Sequence, residues 1–176
     1  MFDKNSAYAF TYLTNHKEKR GEYEIVNHIL TFTCRYNHQY IVNVEEYTHA
    51  VFVVKFHLKS HSLSKNKYNL TTGFNDMGRV VATCLTIMVW FLRDKNPKAS
   101  FGFIGAHSIN EVGTSKRFKI YTLLMANIFT PMKFVHYEFQ KENAYLLLNR
   151  EQFNNSTELE NGLSKITQMF HDLYEI

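Results

Sequence analysis

Residues Val80 to Leu92 read VVATCLTIMVWFL, the longest apolar stretch of the chain. Apolar side chains recur there at spacings of three and four, which predicts an α-helix, and the second half is apolar nearly all round. Such a helix is usually buried against a sheet. The stretch has 13 residues between Arg79 and Arg93, whereas crossing a bilayer takes about 20. We therefore expect a core helix, starting at a cap on Asn75 or Asp76 and ending near Pro97.

Strand patterns stand on both sides of this helix. AVFVVKFHLKS, from Ala50 to Ser60, alternates between two sets of side chains. One face is predicted to be apolar, and the other to carry Lys55, His57 and Lys59. SFGFIGA, from Ser100 to Ala106, predicts a central strand, and its two glycines predict a close approach of the backbone to other groups.

The remaining elements predict the fold class. Two short strands around Asn37 predict a hairpin, and a second hairpin is expected between Phe134 and Asn149. Between them, a helix should begin at Thr114 or Ser115, and a final helix should begin at a capping box formed by Thr157 and Glu160. This order predicts a single α+β domain over residues 1–176, with a mainly antiparallel sheet and about three helices packed on it. The first hairpin is TFTCRY and YIVNV, and the second is FVHYEF and AYLLLN.

Charge is divided unevenly along the chain. Residues 1–133 contain 17 Lys and Arg against 9 Asp and Glu, and residues 134–176 contain 3 against 7, within an overall net charge of +4. We expect an acidic final helix, about 157–174, packed on a basic body. A basic body favours a polyanionic partner such as nucleic acid. The neighbouring acids Glu45 and Glu46 are expected to be solvated.

Composition narrows the class of protein. Only 7 Gly and 2 Pro occur among 176 residues, which argues against disorder and long linkers. Two Cys are too few for a disulfide scaffold or a four-cysteine zinc site, and Cys34 and Cys84 are predicted to be buried thiols. The sequence shows no signal peptide at its start, so we expect a cytoplasmic protein without membrane contact, metal or cofactor.

The candidate binding site is a basic helix start. Free N–H groups at the first turn of a helix attract anions, and cations placed there are unfavourable for the helix itself. A bound phosphate would explain them, and Arg117 could hold it with two hydrogen bonds. The predicted anion-binding residues are Thr114, Ser115, Lys116, Arg117 and Lys119, and the predicted extension of the basic surface is Lys55, Lys59, Lys65 and Lys67.

Candidates for catalysis are few. His107, His136 and Tyr121 are the side chains that could serve as acid or base near a bound phosphate. His57 and His61 do not form a zinc motif, and no P-loop, GxGxxG or GxSxG motif occurs.

Three segments carry a resemblance to a known family. They are Gly78 to Cys84, Phe101 to Ala106, and Thr114 to Tyr121. From about Asn66 to Asn149 the chain resembles a family of small, largely uncharacterised bacterial proteins classed only as a domain of unknown function. It departs from the family in a longer loop from His107 to Gly113 and in the FKIY that replaces an Arg-Leu-Tyr-like helix start. The resemblance supports the order of elements and draws attention to Arg117, and it implies no reaction.

The sequence leaves three functions open. The first is a binding module for a phosphate-bearing partner, nucleic acid or nucleotide, in a bacterial defence or toxin–antitoxin context. The second is a small basic ribonuclease that needs no metal. The third is a protein-binding or self-associating protein without catalysis, in which the basic body of one copy meets an acidic tail.

Overall fold

The structure is a computed structural model. It describes residues 6–68, 75–104, 113, 116–140 and 143–174, and of residues 116 and 117 only the backbone. Seven strands and three α-helices follow one another along these residues. They are β1 Phe10–Arg20, β2 Tyr23–Thr33, β3 Gln39–Tyr47, β4 Val51–Leu58, α1 Met77–Trp90, β5 Ser100–Ile104, α2 Lys116–Ile128, β6 Phe134–Phe139, β7 Ala144–Asn149 and α3 Ser156–Tyr174.

One seven-stranded sheet holds all of these strands, in the order β1-β2-β3-β4-β5-β7-β6. β4 and β5 pair in parallel, and every other described pair of neighbours is antiparallel. The parallel pair is joined through α1, as a crossover connection requires. The α+β class, the mainly antiparallel sheet and the three helices are therefore confirmed.

Helices cover both faces of the sheet. α1 and α2 bury the larger cluster, which contains Phe52, Phe101 and Met125. α3 buries a smaller cluster on the opposite face, around Val53 and Phe170. β4 is consequently buried on both faces from Val51 to Val54, and the one-sided pattern predicted for it holds only in part. Its polar side chains begin at Lys55.

The first strand was not predicted from the sequence. β1 pairs with β2 over nearly its whole length and turns into it at Gly21, whose φ is +59°. β1 lies at the edge of the sheet and most of its side chains are exposed. An edge strand of this kind needs no apolar alternation, so its sequence carries little strand signal.

The predicted hairpins and helices are present with shifted ends. Asp76 stands at the cap position of α1, but its side chain makes no capping hydrogen bond. After Trp90 the helix continues as one π-helical turn, Phe91–Lys95. The predicted capping box of α3 is wrong: Asn155 Oδ1 accepts the Glu158 N–H at 2.9 Å. Asn155 and Glu158 have the same spacing as Thr157 and Glu160 but lie two residues earlier, and α3 begins directly after Asn155.

Gly102 confirms the close approach predicted for β5. A Cβ placed there would lie 2.9 Å from Phe170 Cζ and 3.0 Å from Val53 Cγ2. α3 can therefore lie directly on β5 only because this position lacks a side chain. Gly105 lies outside the described residues.

Candidate anion-binding crevice

A crevice opens where the parallel strands separate. β4 and β5 pair only from Val51 to Val53 and from Ser100 to Gly102, and beyond these residues a cavity of about 40 Å³ lies between them. We call it the carboxyl-end crevice, because β5 ends beside it at Ile104 and β4 is no longer paired with β5 there. Parallel strands commonly bind ligands at such a place. Its lining residues are Val54, Lys55, Phe56, Tyr68, Phe103, Ile104 and Tyr121.

Among the described residues of this lining, Lys55 is the charged one. Its side chain is 18% exposed, and its Nζ lies 2.6 Å from Glu45 Oε2. The ammonium also lies 4.6 Å from the centre of the Tyr174 ring and 5.9 Å from that of Tyr68. Burial lowers the pKa of Lys55, and the Glu45 carboxylate opposes this change. Lys55 was predicted to lie on a basic surface, and this is wrong, because the sheet and α3 enclose it.

Glu45 is the centre of a buried polar cluster. Its side chain is 4% exposed, and its carboxylate lies 2.6 Å from both Arg20 Nη2 and Lys55 Nζ. Burial by itself would raise the pKa of Glu45, but the charge of Lys55 and the hydrogen bonds from Arg20, Lys55 and Tyr47 lower it to about 2. Glu45 is thus ionised at neutral pH and is not solvated as predicted. Glu46 likewise has a protein partner, since His28 Nε2 lies 3.0 Å from its Oε2.

Two tyrosines complete the shell of Glu45. Tyr47 OH and Tyr174 OH donate to Glu45 Oε2 at 2.6 and 2.8 Å, and the two hydroxyl groups also contact each other. Burial and the carboxylate raise the pKa of both tyrosines. Tyr174 belongs to the last turn of α3, so the packing of this helix on the sheet positions the Tyr174 ring beside the Lys55 ammonium.

Tyr68 is the aromatic side chain of the lining that lies nearest to the basic segment after β4. Asn43 Nδ2 donates to its hydroxyl at 3.0 Å, which fixes the ring. Lys67 Nζ lies 5.1 Å from the ring centre, and the His57 ring meets the Tyr68 ring edge-on at 5.3 Å. Cations over an aromatic face are attracted by its negative potential. Lys55, Lys67 and His57 therefore all lie next to the Tyr68 ring.

His57 is held neutral in this environment. Its Nε2 lies 3.3 Å from Ser62 Oγ, and that hydroxyl donates to the Lys59 carbonyl at 2.7 Å. The His57 Nε2 must then be the donor, which leaves Nδ1 as a bare acceptor without a partner among the described residues. Burial, with Lys67 and His61 nearby, lowers the pKa of His57 to about 4.

The remaining lysines of the predicted basic surface differ from Lys55 in their exposure. Lys59 and Lys65 are exposed, and Lys67 is half-buried over Tyr68. All three belong to the segment after β4, Lys59 to Tyr68, which contains no Asp or Glu. Lys119 is exposed on α2.

The predicted helix start lies only partly within the described residues. Thr114 and Ser115 lie outside them, and Lys116 and Arg117 form the first two positions of α2 with only their backbone described. Tyr121, one turn further along α2, is buried and packs against Phe103 with ring centres 3.8 Å apart. Because Tyr121 lines the carboxyl-end crevice, α2 borders the same site as Lys55.

Of the two histidines predicted as candidates for catalysis, His136 lies within the described residues and has a hydrogen-bond partner on each ring nitrogen. The Phe129 carbonyl accepts a hydrogen bond from His136 Nε2 at 2.8 Å, so His136 Nδ1 is left to accept from Tyr145 OH at 2.7 Å. The two ring nitrogens thus join β6 to Phe129, which directly follows α2, and to β7. His107 lies outside the described residues.

Sequence reasoning missed Glu45 and Tyr68. Glu45 occupies the same face of β3 as Asn43 and Tyr47, and this face is buried under α3. Glu45 alternates with the apolar residues of its strand at a position that faces inward, and a buried acid usually has a charged partner. Tyr68 follows a polar stretch, and nothing in the local pattern marks it as part of a site.

The comparisons with known proteins add no family. No protein-family model, curated protein or solved structure matches the chain. The resemblance to the bacterial family therefore stays a prediction. No described helix has the length and apolar character needed to cross a membrane. The described residues also contain no group of three or more His, Cys, Asp and Glu side chains that could hold a metal ion.

Proposed function

We propose that this protein binds a phosphate-bearing partner, nucleic acid or a nucleotide, at the carboxyl-end crevice. The observation that carries the proposal is that Lys55, Tyr68 and Tyr121 line one cavity. Tyr68 ends the basic segment that follows β4, and Tyr121 belongs to the basic start of α2. Two segments that are separate in sequence thus border the same cavity.

The charges around the crevice support an anionic partner. In the sequence, the segment from Lys59 to Tyr68 contains three lysines and no acid, and α2 begins with Lys116 and Arg117 and contains Lys119 and no acid. Beside the crevice, the Glu45 carboxylate opposes an anion; its charge is shared between Lys55 and Arg20, and Arg20 also pairs with Glu18. Like-signed charges around a cleft raise the local concentration of ions of opposite charge.

The test is the salt dependence of binding to a fluorescent single-stranded oligonucleotide. Each phosphate contact contributes roughly −0.7 to the slope of log K against log salt concentration for single strands. Replacing Lys59, Lys65 and Lys67 together by Ala should reduce the magnitude of that slope by about 2 and weaken binding at low salt.

A matched variant separates this site from general basicity. Lys19, Lys98 and Lys165 are exposed, and their replacement by Ala removes the same total charge. Lys98 precedes the amino end of β5, Lys19 stands beside the β1–β2 turn, and Lys165 lies on α3, so none belongs to the segments bordering the crevice. Equal losses in the two triple variants, or no binding by the unaltered protein, would reject the proposed site.

The ribonuclease and self-association functions stay predictions. The two hydrogen bonds of His136 account for that residue without catalysis. An RNA-cleavage assay with a chelator present tests the first function, and light scattering at low and high salt tests the second.

A further inference from the structure

A second group of polar side chains lies on the first three strands, on the face of the sheet that α1 covers. Tyr12 OH lies 3.0 Å from His28 Nδ1, and His28 Nε2 lies 3.0 Å from Glu46 Oε2. Because a carboxylate only accepts hydrogen bonds, Nε2 is the donor, and Nδ1 of the neutral ring accepts from the Tyr12 hydroxyl. A hydroxyl group, a base that can take its proton and a third group that orients the base form the arrangement of an activated nucleophile.

An irregularity in β1 adds Asn15 to this group. The register of β1 shifts between Tyr12 and Thr14, and Asn15 consequently lies directly opposite His28. Residues opposite each other in an antiparallel pair have their side chains on the same face, and Asn15 Nδ2 donates to the Tyr12 hydroxyl oxygen at 2.8 Å. Without the extra residue, Asn15 would point to the other face of the sheet. Bulges of this kind often re-aim a side chain beside an active site.

Lys95 supplies a positive charge beside the Tyr12 ring. The π-helical turn after α1 holds its Nζ 5.1 Å from the centre of the Tyr12 ring and 5.2 Å from that of Trp90. Ring faces attract the ammonium but leave its N–H donors free. The neighbouring acid Asp94 pairs with Arg93 at 2.6 Å, and the described part of the chain places no carboxylate within ion-pair distance of Lys95. Its charge can therefore bind an anionic group that reaches Tyr12.

The base is enclosed while the hydroxyl group can be reached from solvent. His28 is buried, and the Phe91 ring meets it edge-on at 5.1 Å. Tyr12 is half-buried, and Asn15 and Lys95 are exposed. A phosphate ester suits this set better than an acyl group, because it carries the negative charge that the lysine can bind before reaction, whereas an acyl carbon is part of a neutral group.

We infer that Tyr12 is the nucleophile of a phosphoryl-transfer site, with His28 as its general base. Lys95 binds the phosphate oxygens, and Glu46 positions the imidazole and stabilises its positive charge. In the reaction, the Tyr12 oxygen forms a bond to phosphorus while the bond from phosphorus to the leaving oxygen breaks. The Tyr12 proton passes to His28 and from there to the leaving oxygen. The products are a phosphate ester of Tyr12 and an alcohol. None of these residues lines the carboxyl-end crevice, so the inference does not depend on the proposed function.

The test uses two chromogenic esters with the unaltered protein, the monoester p-nitrophenyl phosphate and the diester thymidine 5′-p-nitrophenyl phosphate. At least one should release p-nitrophenol in a burst of about one equivalent per chain. Mass spectrometry of the digested protein should then find the added phosphoryl group on Tyr12. The ester that gives the burst tells whether the site takes monoesters or diesters, and this measurement does not depend on a variant that folds.

Variants assign the roles. Tyr12→Phe should abolish the burst, and His28→Gln should slow it by at least about 100-fold. Glu46→Gln keeps an acceptor for the imidazole but no charge, so it should slow the burst, and Glu46→Asp should retain more of the rate. Lys95→Ala should slow the reaction with the charged ester more than labelling of Tyr12 by the uncharged diisopropyl fluorophosphate, a difference that a general loss of structure would not produce.

Tyr36→Phe is the matched control. Tyr36 is 46% exposed and has the Arg35 guanidinium 4.9 Å from its ring centre, so it is a second accessible tyrosine beside a cation. This variant should react as the native protein does. The absence of a burst with both esters would overturn the inference, and so would equal labelling of Tyr36 and Tyr12 or a folded His28→Gln variant that reacts at the native rate.

Discussion

Replacing Glu45 by Gln should destabilise the fold strongly, although the side-chain volume hardly changes. Glu45 is 4% exposed and lies 2.6 Å from the nitrogens of both Arg20 and Lys55. A Gln oxygen in the position of Oε2 keeps an acceptor for the Tyr47 and Tyr174 hydroxyl groups. The Gln NH₂ then faces the Arg20 guanidinium, and the Lys55 ammonium loses its charged partner.

The size of the expected loss of stability depends on whether Arg20 and Lys55 can find other partners once the charge of Glu45 is removed. Arg20 is 35% exposed and also contacts Glu18, so it can recover part of its interaction. Lys55 is 18% exposed and remains enclosed. Removing one member of a buried ion pair costs about 3–5 kcal/mol, and the freedom of Arg20 places the expected loss near 3 kcal/mol. For a domain of this size that corresponds to a fall in Tm of about 6–12 °C.

Urea unfolding at neutral pH is the assay, with Glu24→Gln as the matched control. Glu24 pairs with Lys17 at 2.8 Å, but its side chain is 65% exposed, so its loss should change the stability little. Adding Lys55→Met to Glu45→Gln removes the stranded cation and should restore at least about 1 kcal/mol.

The pH dependence of Glu45→Gln gives an independent check. Because folding lowers the pKa of Glu45 to about 2, its contribution is complete above the unfolded pKa near 4.5 and is lost as the pH falls towards 2. The variant should lose less stability than the native protein over this interval. A loss at neutral pH no larger than that of the Glu24 control would refute the buried ion cluster.

Two further predictions concern His57 and Gly102. Folding lowers the pKa of His57 to about 4 from 6.5. The contribution of neutral His57 to the free energy of unfolding is therefore complete above pH 6.5 and falls by up to about 3 kcal/mol towards pH 4. In urea unfolding, His57→Gln should lose less stability than the native protein over this pH range, and an unchanged profile would contradict a buried neutral histidine. Gly102→Ala places a Cβ 2.9 Å from Phe170 Cζ and should cost about 1–3 kcal/mol in thermal unfolding. Gly78→Ala in α1 meets no atom within 4 Å and should be neutral or stabilising by up to about 1 kcal/mol, so equal effects of the two alanines would contradict the close contact of α3 with β5.

Much of the candidate site lay beyond sequence prediction because its parts are far apart in the chain. Tyr174 and Glu45 are 129 residues apart, and Arg20 and Glu45 are 25 apart. A lysine on a strand that alternates with apolar residues predicts an outward side chain, as was expected for Lys55. Only the cover supplied by α3 turns that face inward and converts a surface cation into a buried one.

The sequence alone determined α1, β4, β5 and both predicted hairpins, because their apolar side chains recur with the period of the element they form. It also determined the excess of basic residues in the segment after β4 and at the start of α2. The tertiary structure decided that β4 and β5 lie side by side in parallel, that they separate after Val53 and Gly102, and that Lys55 meets Glu45 there. Strand order and burial arise from contacts between distant segments, and a local pattern of residues carries no information on which distant segment will cover it.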